Sequence, residues 1–390
     1  MSSTDSVQFV PWSDMLARHE AAWRRLWLEA GAVPDLGPAW ARALAEGHRI
    51  EAKELWCVIV LRADGELDLV WPLRRQRVKR AGLWWWSIGP LLNVYCMHSG
   101  LLCRGPQEPA RSRAWQALVE GRLRWDWFQI DGVVEGSAEH DEWLTHAQIV
   151  GVGLNSNAEH RSPYLAHTGT LDDLITQRSR NFREKIRARR RELQRGLVDG
   201  GSLAWQQFTR PEEMPAYLEL ARQVELKSWK HAEGTAITSR DWETGFYESL
   251  LPGLAAEGQV CCTVLFSQGL PVGHSIDLRG GQRVYGVKWS YDLDHAKLRP
   301  GVLLMVGRLE RYFAEGVVEF DFLGADEAYK LQWTPTTRDH LSLRIHARSF
   351  GGRLAWMSDR AIRAIKRLRG GGQPLGDAAK PVAETGAVDA

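Results

Sequence analysis

Two seven-residue runs, LWCVIVL at 55–61 and LDLVWPL at 67–73, are rich in β-branched and apolar residues and flank a turn at Asp64-Gly65. That pattern predicts a β-hairpin. The same arrangement returns in VCCTVLF at 260–266 and PVGHSIDL at 271–278, around Gln268-Gly269. Helix-periodic segments end in similar words: LAEG at 44–47, LVEG at 118–121, AAEG at 255–258 and FAEG at 313–316. A glycine directly after an apolar helical run accepts the left-handed conformation that stops a helix. Behind the second word stands DWFQIDG (126–132) and behind the fourth VVEFDFLG (317–324), each strand-like.

These elements recur in the same order about 200 residues later, which predicts a tandem duplication of one mixed α/β unit. The boundary is expected near Ser162-Pro163, where the polar stretch NSNAEHRSP reads as linker. The units are then 1–162 and 163–369, followed by a glycine-, alanine- and proline-rich tail, 370–390, expected to be disordered. In the second unit, strands are expected at 260–266, 270–278, 283–290, 317–323 and 340–347. Helices are expected at 171–198, 302–315 and 358–369. The helix-connected strands 283–290 and 317–323 should run parallel.

Composition narrows the function classes. Of 390 residues, 44% are apolar and 25% charged, and 50 Lys plus Arg against 48 Asp plus Glu leave a formal charge of +2. No global field for DNA or an anionic membrane follows, so any electrostatic function must be local. The five cysteines form no CxxC pair and no Cys/His spacing suited to zinc, so no metal site is expected and the thiols read as reduced, in a cytoplasmic protein. The first residues lack a basic stretch followed by an apolar core, and no signal peptide is expected. Residues 83–102 are interrupted by Gly89, Pro90 and Asn93 and read as strand–loop–strand rather than a membrane span. Among 19 tryptophans, Trp84, Trp85 and Trp86 suit a strand buried on both faces, with a stacking surface for a sugar or lipid headgroup as the alternative.

Candidate anion sites lie in the second unit. In YDLDHAKLRPGVLL (291–304), Pro300 and Gly301 stand where a helix starts, so the backbone N–H groups of Gly301, Val302 and Leu303 would face an anion such as a pyrophosphate. Lys297 and Arg299 add positive charge. The matching segment of the first unit carries Glu108, which would repel a phosphate. The basic run SRNFREKIRARRRELQRG (179–196) places Phe182, Ile186 and Leu193 at helical spacing, which makes most of its cations a solvated face. Arg180, Arg183 and Arg187 are candidates to reach an anionic substrate.

The order of parts, SRNFREKIRARRRE, a strand, an Arg299-Pro300-Gly301 turn opening a helix, DFLG and then YKLQW, resembles the GNAT superfamily of acyltransferases. More narrowly it is similar to the CelD-like acetyltransferases of cellulose and exopolysaccharide biosynthesis, relatives of the Fem peptidyltransferases. The resemblance covers most of residues 40–350. It implies two GNAT-like units, with acyl-CoA as co-substrate in a cleft where two parallel strands splay. Strand 283–290 would line the thioester and Arg299 to Leu303 would hold the pyrophosphate. The usual superfamily loop has more glycines than this one. Lys330 is similar to the lysine that Fem relatives carry near the final strand. A saccharide or small-molecule acceptor and peripheral association with a membrane-bound polysaccharide system are implied as well.

Acyl transfer needs a base for the acceptor, stabilisation of developing charge and a proton for the leaving thiolate. In EFDFLGADEAYKLQW (319–333), strand alternation puts Phe320 and Phe322 on one face and Glu319 and Asp321 on the other. Asp321 or Glu327 is the candidate base or acceptor-positioning group, and Lys330 the charge-stabilising one. Tyr329 or Tyr285 would protonate the thiolate, and His274 is a further candidate base. Two alternatives remain: a Fem-like transferase using aminoacyl-tRNA, and a non-enzymatic binding module built on the tryptophan-rich first unit.

Overall fold

The computed structural model describes residues 6–368 except 97, 99, 106–107, 122, 152 and 197–201; the expected disordered tail lies outside the described residues. The N-terminal half carries β1 (Ser6–Pro11), α1 (Trp12–Asp14), α2 (Glu20–Glu29), α3 (Pro38–Gly47), β2 (Leu55–Leu61), β3 (Leu67–Arg80) and β4 (Leu83–Pro90). It continues with β5 (Leu102–Cys103), α4 (Glu108–Val119), β6 (Trp127–Val134), α5 (Ala138–Val150) and β7 (Gly153–Ala166). The second half comprises α6 (Leu171–Thr176), α7 (Arg180–Gly196), β8 (Leu203–Phe208), α8 (Met214–Leu226), α9 (Trp229–Ala232) and α10 (Asp241–Ala256). Then follow β9 (Val260–Ser267), β10 (Leu270–Gly280), β11 (Arg283–Tyr291), α11 (Pro300–Ala314), β12 (Glu319–Asp321), α12 (Ala328–Leu331), β13 (Thr337–His346) and α13 (Phe350–Leu368).

The repeat is visible in the pairing. β2, β3 and β4 form an antiparallel meander, α4 crosses over, and β6 lies parallel to β4. β9, β10 and β11 do the same, α11 crosses over, and β12 lies parallel to β11. The fold is thus mixed α/β, two copies of one strand–helix arrangement in tandem with helices on both faces of a mixed sheet.

The halves share their last strands. The sheet runs β1-β2-β3-β4-β6-β13-β7-β12-β11-β10-β9-β8, so the C-terminal strand β13 is inserted between β6 and β7. β7 pairs with β13 over Gly153–Pro163 and then with β12 over Tyr164–Ala166, which joins the two sheets. The stretch NSNAEHRSP, expected as linker, is therefore strand. Its polarity has a different cause: Ser162, Glu159 and His160 face a polar cavity between the halves, and Asn155 bonds Asp359 at 3.0 Å.

Three other expectations are corrected. The helix expected over 171–198 is two, because the Ser179 hydroxyl accepts the Phe182 N–H at 3.3 Å and opens a fresh helix. The helix expected from 358 begins at Phe350. β4 is not buried on both faces: Trp85 is buried but Trp84 is 57% exposed, with the Arg77 guanidinium 5.5 Å from its ring.

Two cores lie on opposite faces of the first-half sheet. One, with Trp23, Trp40 and Leu44, is continuous with Phe246, Tyr247 and Leu250 of α10, so the halves are fused through a common apolar core. The other packs Trp71, Trp115, Phe128 and Trp143 beneath α4 and α5. A third, with Leu303, Leu309, Phe320 and Phe322, holds α11 on the second-half sheet.

Candidate active site

β11 and β12 are paired at only three positions, Arg283 with Glu319, Val284 with Phe320 and Tyr285 with Asp321. Beyond that point β12 ends while β11 continues to Tyr291. On its other side β11 changes register against β10: Ile276 faces Lys288, but Asp277 faces Gly286, which leaves Val287 as an extra residue. A bulge of this kind bends the strand and re-aims its side chains. The bend coincides with the place where the two parallel strands part.

The helix that closes this splay is pinned from below. Arg308 of α11 donates to Asp277 at 2.7 Å in full burial, and the Tyr312 hydroxyl donates to the same carboxylate at 2.6 Å. Arg308 also lies over the Phe320 ring at 5.0 Å. At the start of α11, Arg299 adopts a left-handed conformation, φ 55°, and Pro300 occupies the first turn. The expectation of three free amides is corrected here. The Val302 and Leu303 N–H groups are donated to the Arg299 carbonyl at 3.0 and 3.2 Å, so of the three amides only that of Gly301 stays a candidate. Gly301 also has to be glycine for space, since a Cβ there would lie 2.8 Å from the Trp289 ring. Lys297 is exposed and Arg299 half-buried.

Across the splay, the Trp289 indole N–H donates to the Tyr329 hydroxyl at 2.9 Å. Trp229 packs edge-on against Trp289 and lies 4.9 Å from Tyr291, forming a half-buried aromatic wall. Lys330 is buried. Its ammonium donates to the carbonyls of Leu323 at 2.6 Å and Ala325 at 2.9 Å, and it pairs with Glu327. It therefore fixes the turn after β12 and sets a positive charge at the mouth of the splay.

Behind the wall lies a buried chain of charges. Lys288, from the bulged part of β11, bonds Glu243 at 2.7 Å and the Thr235 carbonyl at 2.8 Å, with Glu225 3.9 Å away. Tyr95, from the first half, donates to Glu243. Glu225 accepts the Ile237 N–H and lies 3.3 Å from His274. Burial works against the Glu225 carboxylate, but its bond to His274 and the nearby Lys288 keep it below the usual carboxylate range. Lys230 stands at the outer end, half-buried. Burial and the neighbouring Lys288 push its ammonium down to about 8, within electrostatic reach of Glu225, Glu327 and Glu243.

On the side facing the first half, a cavity of about 480 Å³ opens between the halves. Tyr285 and Asp321 face it from the splayed pair, and Glu159, His160, Arg338 and His340 from the exchanged strands. Asp321 accepts the Leu323 N–H at 2.8 Å and pairs with Arg338 at 2.8 Å, yet burial raises its carboxyl above the ordinary value. Burial likewise raises Tyr285. His160 and His340 stack at 4.5 Å. Burial, His340 and the Lys330 ammonium hold His160 down at about 4. The cavity wall is thus neutral at both histidines and acidic around them.

The structure places Tyr285 and Asp321 on the wall of the cavity, while Tyr329 meets Trp289 across the splay and Lys330, paired with Glu327, braces the turn at Leu323, which itself lines the cavity. It does not bring His274 there. That side chain is fully buried between Tyr217 and Glu225, and burial lowers its basicity, so it touches no substrate and the reading of it as a catalytic base is corrected. Arg180 pairs with Glu184 at 2.8 Å, Arg183 donates to the Thr176 carbonyl and Arg187 is exposed; none of the three lines the cavity. Lys230, Lys288, Glu225 and Glu243 were not singled out from sequence. One signal was available: Lys288 interrupts the apolar strand VYGVKW, where a lysine needs a partner to be tolerated.

Comparison with known proteins bears on this geometry directly. Residues 180–331 match the acetyltransferase (GNAT) domain model. That span runs from the first residue of α7 to the last of α12 and so contains the splay, Lys230, Lys288 and Lys330. No curated protein matches the chain. Among solved structures, FemX is 12% identical with a TM-score of 0.54, over 87% of this chain and 97% of its own. A C-terminal domain assigned to lysylphosphatidylglycerol synthetase in Agrobacterium fabrum is 11% identical with a TM-score of 0.51, over 92% and 99%. A protein of unknown function from Bacteroides thetaiotaomicron is 11% identical with a TM-score of 0.53, over 87% and 100%. At such identities the likeness is one of fold, and it extends across both halves.

Proposed function

We propose that the second half is an acyltransferase that moves an acyl group from acyl-CoA to an amine or hydroxyl in the cavity between the halves. The observation that carries this reading is the three-residue β11–β12 pair that parts at the Val287 bulge, with Lys230, Glu327 and Lys330 at the opening. A pantetheine arm entering there replaces the Trp289–Tyr329 contact, and its pyrophosphate meets the Gly301 N–H, Lys297 and Arg299. Lys230, with a neutral fraction near pH 8, takes the acceptor proton, with Asp321 and Glu327 as positioning carboxylates. Tyr329 stands where a departing thiolate would receive a proton. Lys330 keeps the 323–325 turn in place and supplies fixed positive charge.

The cavity wall carries Glu139, Glu159, Glu319 and Asp321 against Arg283 and Arg338. That balance favours an acceptor bearing hydroxyls or an amine over an anionic one. A saccharide or small metabolite is the acceptor class we favour, and the resemblance to CelD-like acetyltransferases supports a role in exopolysaccharide assembly in the cytoplasm as part of this reading. The test is thermal unfolding with acetyl-CoA and longer acyl-CoAs, paired with release of free thiol. A ligand at a hundredfold its dissociation constant adds about 2.7 kcal/mol. Absence of any shift and of any thiol release across the acyl-CoA series would sink the reading.

A second reading, transfer from aminoacyl-tRNA, is favoured by the exposed cations of α7, among them Arg187 and Arg191. It expects tRNA retention that falls with salt. Retention unchanged by Arg187→Glu plus Arg191→Glu would remove it.

A further inference from the structure

α13 is amphipathic the wrong way round for a helix that only covers a core. Its inner side is already partnered: Ala355 packs with Trp85 and Trp127, Trp356 lies half-buried against Gly153, and Asp359 pairs with Arg80 and Arg344, each at 2.8 Å. Its outer side carries Phe350, Leu354, Met357, Ala361 and Ile365, spaced by three or four residues and hence on one stripe. Phe350 is 85% exposed, Met357 62%, Ile365 48% and Leu354 40%. Next to the helix, the β3–β4 tip whose Arg80 holds Asp359 exposes Leu83 (50%) and Trp84 (57%).

The charges around this stripe have one sign. From 348 to 368 the chain has six cations, Arg348, Arg353, Arg360, Arg363, Lys366 and Arg367, and a single acid, Asp359. Asp359 is buried and already paired. Exposed Arg353 and Arg360 border the stripe, and Lys79 and Arg77 stand on the neighbouring hairpin. In a chain of net charge +2, this is a strong local asymmetry. Four large apolar side chains exposed along one stripe also differ from the singly scattered apolar exposure usual on a monomer.

We infer that α13 and the β3–β4 tip form a docking face for the surface of an anionic lipid bilayer. The helix lies in the interface, its stripe in the acyl boundary and its arginines at the headgroups. No helix among the described residues is long and apolar enough to cross a membrane, so the association is peripheral. A second copy is the weaker occupant on charge grounds, because two such stripes would bring cation against cation with no exposed acid between them. This inference stands independently of the transfer chemistry.

Flotation of the full chain with vesicles tests it, using phosphatidylcholine alone and phosphatidylcholine with about a third phosphatidylglycerol. The protein is expected to float with the anionic vesicles only, and less so at high salt, where surface charges are screened. Phe350→Ser plus Met357→Ser, both exposed and so compatible with folding, should lower the bound fraction about tenfold. Arg353→Glu plus Arg360→Glu should lower it at least as far, with circular dichroism unchanged in both variants. The inference is overturned if the wild-type chain stays free of anionic vesicles at low salt, or if both double variants float like wild type. It is equally overturned if sedimentation shows a dimer that Phe350→Ser plus Met357→Ser dissolves while vesicle binding is absent.

Discussion

The two halves build the same parallel strand pair and use it differently. In the first, β4 and β6 pair at Ser87–Trp127 and Ile88–Phe128, and the β3–β4 register runs without a shift from Leu73–Pro90 to Arg80–Leu83. Gly89 then lies so close to the Gln129 carbonyl that a Cβ would collide with it, so the strands stay in contact beyond their last pair. Trp71, Trp115, Phe128 and Trp143 fill the space beneath. In the second half the bulge at Val287 opens the pair, and Lys288 turns into a charged network instead of an aromatic one. One extra residue on one strand thus separates a packed half from a half with an opening. The same scaffold is built twice, and only the second copy carries the bulge and the splay.

That contrast can be broken at several points. Lys288→Ala leaves Glu243 and Glu225 buried without their cation, and removing one partner of a buried pair costs about 3–5 kcal/mol. Thermal unfolding should show the largest drop of any single change proposed here, and a wild-type melting temperature would mean that the network is not holding the second half. Lys330→Met removes donors from the Leu323 and Ala325 carbonyls at the mouth of the splay. Transfer should fall about a hundredfold, the scale of losing one preorganised charge-stabilising group, while Lys330→Arg should not restore it, since a guanidinium does not fit two carbonyls set for an ammonium. An undiminished rate in Lys330→Met would make the lysine a purely local brace.

Gly89→Ala probes the packed half. The collision with Gln129 should destabilise by about 1–3 kcal/mol, read by denaturant unfolding, with acyl-CoA binding per folded molecule unchanged. A change in acyl-CoA affinity would show that the first half shares the donor site. The smallest effect expected is the pH dependence of Lys230. Only its neutral form accepts a proton, so the transfer rate should climb through about pH 8 and level off above, and Lys230→Met should remove that limb. Stability carries the same signature. Because the folded value lies below the ordinary 10.5, the unfolded chain binds more protons between about 8 and 10.5, and stability should rise with pH across that window.

Much of the second half was legible from local pattern. The order β9, β10, β11, α11, β12 follows from turn glycines and strand alternation, and Phe320 and Phe322 do face the core while Glu319 and Asp321 face the cavity. Lys330 stood out because it is similar to the lysine that Fem relatives carry near the final strand and because it shares a helix face with Glu327 at i, i+3. What pattern could not show was any polar side chain whose partner is distant in sequence. β7 looked like linker because its polar residues meet the other half of the chain rather than solvent. His274 looked available because its partners, Tyr217 and Glu225, stand about 50 residues away in sequence. The insertion of β13 between β6 and β7 has no local signature, since a strand's neighbours are chosen by the whole sheet.

The position of β13 also governs when the protein can be made. A ribosome delivers the N-terminal half first, yet the gap between β6 and β7 is filled by residues 337–346. During synthesis of the intervening 170 residues, from 167 to 336, the edges of β6 and β7 that β13 will fill lack their partner strand. The emerging chain has to be shielded or kept from premature pairing over that interval, and any fragment ending before 337 should aggregate rather than persist as a stable half.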